Sequence, residues 1–165
     1  MIKRALPVLL ALTLLAPAQA AFVSSEYGFS ASAPKGWKQV SYPGVLVAFA
    51  SPTVTGRFAN NVNITVENIP AGFTLEQYIQ AGQVSLKRVI TNFKPLGSRS
   101  VTLGGLPAQQ QEFSGRQGEF DLYFSQTIAL KSGHAYVLTG TSLLPQKATL
   151  APSMAEFVQG FKFSR

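Results

Sequence analysis

The segment from Asn61 to Phe93 changes its hydrophobic period in mid-course, and that change restricts the fold more than any other feature of the chain. Between Asn61 and Ile69 apolar and polar residues alternate, with Val62, Ile64 and Val66 on one face and Asn63, Thr65 and Glu67 on the other, the period of a half-buried strand. Pro70-Ala71-Gly72 stops that strand. Thr74 and Gln77 then form a capping-box pair. Beyond it Leu75, Tyr78, Ile79, Leu86, Val89, Ile90 and Phe93 recur at helical spacing, with Glu76, Gln80, Gln83 and Lys87 opposite. A strand with one face to bury, followed directly by a helix with one stripe to bury, predicts an α+β fold. Gly82 falls on the apolar stripe, where it costs on the order of 1 kcal/mol relative to Ala, so the helix is expected to approach the sheet closely there. Lys87 and Arg88 lie in the last turns and complement the helix dipole.

The flanking segments extend this frame. Tyr27 to Ala33 reads as a short strand ending in the turn Pro34-Lys35-Gly36, and Trp37 behind it is expected to pack in the core. Val45 to Ala50 reads as a buried strand and Ser51 to Ala59 as a loop. From Pro95 onward four strands fit between turn signals at Gly104-Gly105, Gly115 to Gly118 and Ser132-Gly133. Phe120, Leu122, Phe124, Ile128 and Leu130 share one face while Tyr123 and Ala129 occupy the other, so the sheet is expected to be covered on both sides. Ser153 and Glu156 form a second capping-box pair before a short helix, and Phe161-Lys162-Phe163 reads as a closing strand.

The N-terminus sets the address. Lys3 and Arg4 precede an apolar run from Ala5 to Ala16 and the small-x-small site Ala18-Gln19-Ala20. This predicts a signal peptide over residues 1–20, cleaved between Ala20 and Ala21, and one domain over residues 21–165. Without Lys3 and Arg4 the net charge falls from +7 to about +5. No segment after the signal stays apolar for the roughly 20 residues a membrane helix needs. The chain has no Cys, so it forms no disulfide, thiolate nucleophile, Cys-ligated metal centre or acylated lipoprotein anchor. A periplasmic or secreted protein is expected.

Chemistry is sparse. The single His134 excludes a His-pair metal site, and the carboxylates Glu26, Glu67, Glu76, Glu112, Glu119, Asp121 and Glu156 show no metal-loop spacing, so neither metal nor cofactor is expected. The basic residues are scattered along the chain, with Lys87-Arg88 the only adjacent pair after the signal, and no nucleic-acid footprint is visible. A Ser-His-Asp arrangement would draw on His134 and Asp121, but there is no Gly-x-Ser-x-Gly elbow and His134 follows Ser132-Gly133 as a solvent-facing turn residue. Glu119 and Asp121, two apart, read as the solvated start of a strand. The acceptor triplet Asn63-Ile64-Thr65 lies inside a strand and is set aside. A protein without enzymatic activity is therefore expected. Candidate binding residues are Arg57 and Phe58 beside Gly56, and Arg116 and Gln117 in the turn before Gly118, because an Arg-aromatic pair on a loop is a frequent recognition element.

In order, the chain carries Tyr-x-Phe-Ser-x-Ser-x-Pro-x-Gly-Trp over residues 27–37, Asn60-Asn61-Val62-Asn63-Ile64-Thr65-Val66 and Leu75-Glu76-Gln77-Tyr78-Ile79. Leu103-Gly104-Gly105-Leu106-Pro107-Ala108, Gly133-His134-Ala135-Tyr136-Val137-Leu138 and Phe157 to Phe163 follow. This series resembles the PsbP-like family, which takes in the PsbP C-terminal domain and the periplasmic DcrB-type proteins, and the resemblance covers nearly the whole of residues 21–165. It implies an antiparallel sheet flanked by helices, an α/β/α sandwich, and a monomeric accessory or binding role toward an envelope or membrane-associated protein. The resemblance also implies, in a photosynthetic host, an extrinsic photosystem II accessory protein associated with calcium; a separate alternative is a periplasmic small-ligand or lipid carrier with a pocket between sheet and helices lined by some of the 12 Phe.

Overall fold

The computed structural model describes residues 20–164; the expected signal peptide lies almost entirely outside them. A seven-stranded antiparallel sheet takes β3 (Lys38–Val40), β4 (Val47–Thr55), β5 (Phe58–Asn68), β6 (Thr91–Leu103), β7 (Leu106–Gln117), β8 (Phe120–Lys131) and β9 (His134–Leu143) in the order β3-β4-β5-β9-β8-β7-β6. A three-stranded sheet joins β1 (Phe22–Ser24), β2 (Phe29–Ala31) and β10 (Phe161–Phe163) in the order β1-β2-β10. Helices α1 (Leu75–Val89) and α2 (Lys147–Gln159) complete the α+β fold. The alternating segment at Asn61, the capping box of Thr74 with Gln77, the four-strand meander, the buried Trp37 and the closing strand all appear as expected.

Both faces of the large sheet are covered, but by different means. On one face Phe49, Val62, Ile64, Tyr123, Ala129, Tyr136 and Leu138 meet Leu150, Met154 and Phe157 of α2 together with Phe29, Ala31 and Phe161 of the small sheet. Phe29 stacks on Phe161 at 5.2 Å between centroids, Phe49 meets Phe157 edge-on at 5.9 Å, and the Tyr136 hydroxyl donates to the Tyr27 carbonyl at 2.8 Å. Here the helix comes close to the sheet: a Cβ on Gly140 would stand 2.9 Å from Met154 Sδ and 3.3 Å from Leu150 Cδ2. On the other face a smaller cluster of Ile90, Phe113, Leu122 and Phe124 sits beneath the C-terminal end of α1. The rest of α1 contributes no buried residue at all.

Several expectations are corrected. The close approach predicted at Gly82 is absent, since a Cβ there would meet nothing within 4 Å. Ser51 to Ala59 is not a loop but two strand ends around Gly56, whose φ of +61° admits a tight turn. The β-branched Thr53, Val54 and Thr55 favour extension, and the register shift between Ala50 and Val54 accommodates Pro52. Phe93 belongs to β6 rather than to the helical stripe: the chain turns extended at Ile90, and Asn92 at φ +56° bends it into the strand, which starts before Pro95. The Ser153–Glu156 pair lies inside α2, which carries Pro152 in its interior and is entered through Pro145 of a short 3-10 turn. Glu156 instead accepts the Lys35 backbone N–H at 3.0 Å. Strand β1 had no sequence expectation, and its Val23 is exposed.

Candidate functional site

Cross-strand register explains what lies beneath α1. Asn63, Thr139, Gln126 and Gln111 fall in one row across β5, β9, β8 and β7, all on the α1 face. The row is polar throughout, whereas the flanking rows carry Val137 and Ile128 on one side and Phe124 and Phe113 on the other, and it is wired: Gln83 of α1 donates to Gln111 at 3.4 Å, Gln111 to Gln126 at 2.8 Å, and Gln126 to Thr139 Oγ1 at 3.1 Å. Gln111 is only 4% exposed. Because burying an amide is costly unless it is paired, the chain of partners is what makes this row tolerable. A cleft of about 350 Å³ opens beside it, lined by residues that include Phe73, Tyr78, Gly82, Gln111, Gln126 and Ile128. Tyr78 donates to Glu67 Oε2 at 2.9 Å, and burial together with the Glu67 carboxylate raises its phenol above the ordinary value. The amide row has only a weak signal in the sequence, the run Gln109-Gln110-Gln111 and the single Gln126 on the apolar face of its strand.

The four candidate residues read from the sequence, Arg57, Phe58, Arg116 and Gln117, come together at one end of the sheet. Arg57, in the β4–β5 turn, donates to Glu119 Oε2 at 2.6 Å in the β7–β8 turn, so the two hairpin tips are tied to each other. Phe58 packs on Phe120 at 5.4 Å between centroids. Arg116 and Gln117 are the last residues of β7 rather than part of the turn as expected: Arg116 forks onto Asp121 with both bonds at 2.9 Å, and Gln117 pairs opposite Phe120 in the ladder. Glu119 and Asp121 are therefore arginine partners. The hydrogen bonds from Arg116 hold the Asp121 carboxyl below its ordinary 3.8. A depressed carboxylate value means that the pair's contribution is present above the unfolded value and lost as pH falls through the folded one. Carbon-detected NMR titration is expected to place the Asp121 midpoint below 3.8, and Arg116→Gln is expected to return it to the ordinary value.

His134 is half-buried at the first position of β9, edge-on to Tyr27 at 5.5 Å, rather than in the turn as expected; its Nδ1 lies 3.0 Å from the Ser132 carbonyl. It pairs with Lys131, the last residue of β8, whereas Asp121 sits near the start of that strand, about 30 Å away at strand rise. The two do not form a triad. Among the described residues no group of three His, Cys, Asp or Glu side chains is placed to hold a metal ion. Ala20 and Ala21, the expected cleavage site, are exposed immediately before β1.

A family model for DcrB matches residues 30–159, most of the chain, including the whole of the large sheet and both helices. The chain belongs to the DcrB family. No curated protein shows significant sequence similarity to this DcrB protein. Among solved structures it is similar to the cyanobacterial PsbP of Synechocystis sp. PCC 6803, at 16% identity and TM-score 0.66, over 90% of this chain and 95% of that one. LpqN of Mycobacterium tuberculosis, described as involved in cell envelope biogenesis, is similar at 13% identity and TM-score 0.67, over 88% and 90%. The Ran-binding protein Mog1p of Saccharomyces cerevisiae follows at 9% identity and TM-score 0.56, over 82% and 90%. These likenesses establish that this DcrB protein has the PsbP-like fold.

Proposed function

We propose that this protein is an exported binding module without enzymatic activity, accessory to an envelope assembly and working in the periplasm or beyond it, and that it makes its contact on the α1 face. The observation that carries this reading is the unequal finish of the two sheet faces. One packs α2 and the small sheet around a core of large apolar side chains and leaves a cleft of about 270 Å³ at its β6–β7 margin, beside Arg99, Gln110 and Glu112. The other keeps a row of polar side chains and an open cleft under a helix whose inward residues are only partly buried. A fold selected for stability alone gains by replacing such a row with aliphatic side chains, whereas a binding surface needs polar groups that can change partners. The signal-peptide pattern of residues 1–20 supports export, and the envelope role named for LpqN supports the setting.

A photo-crosslinking residue at Gln80, on the outward side of α1, is expected to capture one recurring envelope protein in the native host, and the same residue at Ala148, exposed on α2, is expected to capture none. Equal capture from both sites, or none from Gln80, overturns the α1 assignment. Turnover of an ester, peptide or phosphate substrate that is lost on His134→Ala overturns the non-catalytic part. The cleft volume itself favours a second reading, a small-ligand or lipid carrier, since about 350 Å³ lies within the range of small-molecule sites. A non-protein mass retained in native mass spectrometry, and lost on Ile79→Trp, would select that reading over the first.

A further inference from the structure

Basic residues scattered through the sequence are gathered by the fold at one end of the molecule. The β4–β5 turn with Arg57 and the β7–β8 turn with Glu119 meet there. The C-terminal turn of α1, with Lys87 and Arg88, leads directly into Thr91, which pairs with Arg116, and Lys94 follows opposite Ser114. Strand β9 ends at the same level, Leu143 opposite Leu122, and the 3-10 turn after it is tied back by Gln146 donating to Thr55 Oγ1 at 3.2 Å, which sets Lys147 beside the hairpin. This end therefore presents Arg57, Lys87, Arg88, Lys94, Arg116 and Lys147, all exposed, against Glu119 and Asp121, a net charge of +4. Both acids are engaged by arginines, and the four lysine and arginine side chains at 87, 88, 94 and 147 make no ion pair among the described residues. At the opposite end stand Glu26, Glu67 and Glu76 with Lys131 and Lys162.

We propose that this basic end docks the protein on an anionic lipid bilayer. Three features point to a lipid surface. The cations are carried by separate elements spread from the β4–β5 turn to β6, a span of five strand positions or about 20 Å at the usual strand spacing. That is a broad, shallow array suited to a field of headgroups and not to a single anion. Aliphatic side chains stand among the cations, with Val89 68% exposed, Val54 59% and Leu144 37%, and a headgroup layer accepts cations and short aliphatic groups together. Finally, the charge is polarised along the molecule, which orients the approach as well as strengthening it. Seated this way, the protein stands with the long axis of its sheet across the membrane plane, and the α1 cleft opens sideways, free to meet a neighbour. The inference deepens the binding-module reading and rests on it only for the cellular setting.

The test is sedimentation of the purified exported protein with phosphatidylcholine vesicles, with and without phosphatidylglycerol. Binding is expected only with phosphatidylglycerol, and is expected to disappear at about 1 M salt, where the Debye length is near 3 Å. Each basic side chain close to such a surface contributes roughly fivefold in affinity, so the triple variant Lys87→Gln, Arg88→Gln, Lys147→Gln is expected to bind about a hundredfold more weakly. A control with the same loss of charge elsewhere, Lys35→Gln, Lys131→Gln, Lys162→Gln, is expected to stay within a few-fold of the parent. Circular dichroism checks that both variants remain folded. Equal losses in the two triples, equal binding to neutral vesicles, or no vesicle binding at low salt would each overturn the proposal. Adducts to an acidic protein at these positions in the absence of vesicle binding would assign the basic end to a protein partner instead. Because the vesicle assay contains no envelope protein, its failure leaves the crosslinking test of the α1 face to be judged separately.

Discussion

Phe157→Ala is expected to lower the free energy of unfolding by about 3–5 kcal/mol, while Ile79→Ala is expected to cost about 1 kcal/mol, both measured by urea denaturation. Phe157 is fully buried, meets Phe49 edge-on, and sits in the turn of α2 that faces the sheet beyond Leu150 and Met154. Truncating it opens a cavity between a helix and a sheet that are already in close contact at Gly140, so neither can collapse into the space. Ile79 occupies the equivalent inward stripe of α1, yet it lines the cleft and is only half-buried. Removing its side chain enlarges a space that is open already and adds little new cavity. The contrast between the two substitutions measures the difference between the faces on which the proposed function depends. Two equal losses would mean that α1 is packed as tightly as α2, and the α1 face would then have no special claim to be a binding surface.

Much of this architecture was legible because it rests on local rules. The period-two run at Asn61 and the capping box at Thr74 are decided within a few residues, as are the paired glycines at Gly104-Gly105, and each formed where the pattern placed it. The errors arose where two local rules competed. Pro52 reads as a breaker, but at a strand edge with a register shift its missing N–H costs nothing in the ladder. Ser153 with Glu156 reads as a capping box, yet the helix has already begun at Lys147 and runs through Pro152. Gly82 was assigned a close approach that register and packing gave to Gly140 instead.

The candidate site was less legible because its parts are distant in sequence. Arg57 meets Glu119 across 62 residues, and the amide row draws one residue from each of several strands. No window of sequence shows that Gln83, Gln111, Gln126 and Thr139 are neighbours. Likewise the six basic residues of one end sit on five separate segments, so a search for runs of charge sees only Lys87-Arg88. Register, once fixed by hydrophobic alternation, converts scattered polar residues into rows and ends.

Gly115→Ala is expected to destabilise the protein by about 2–3 kcal/mol, an unusually large effect for adding one methyl group. A Cβ at this position would overlap Ile90 Cγ2 and lie 3.0 Å from the Thr91 carbonyl oxygen, where the chain leaves α1 and enters β6. Ile90 is buried in the small cluster with Phe113, Leu122 and Phe124, so it has no free space to retreat into. Gly140→Ala provides the comparison: its nearest neighbour is the flexible Met154 sulfur at 2.9 Å, and a loss of about 1 kcal/mol is expected there. If the Ile90 methyl group is the obstacle, Ile90→Ala should relieve it, and the double variant should be more stable than the sum of the single losses by at least about 1 kcal/mol. Strict additivity would locate the conflict at the Thr91 backbone instead. In either case the disturbed segment is the one that sets the height of α1 above the sheet and carries Lys87 and Arg88 to the basic end. Gly115→Ala should therefore weaken binding to phosphatidylglycerol vesicles under conditions where Gly140→Ala leaves it intact.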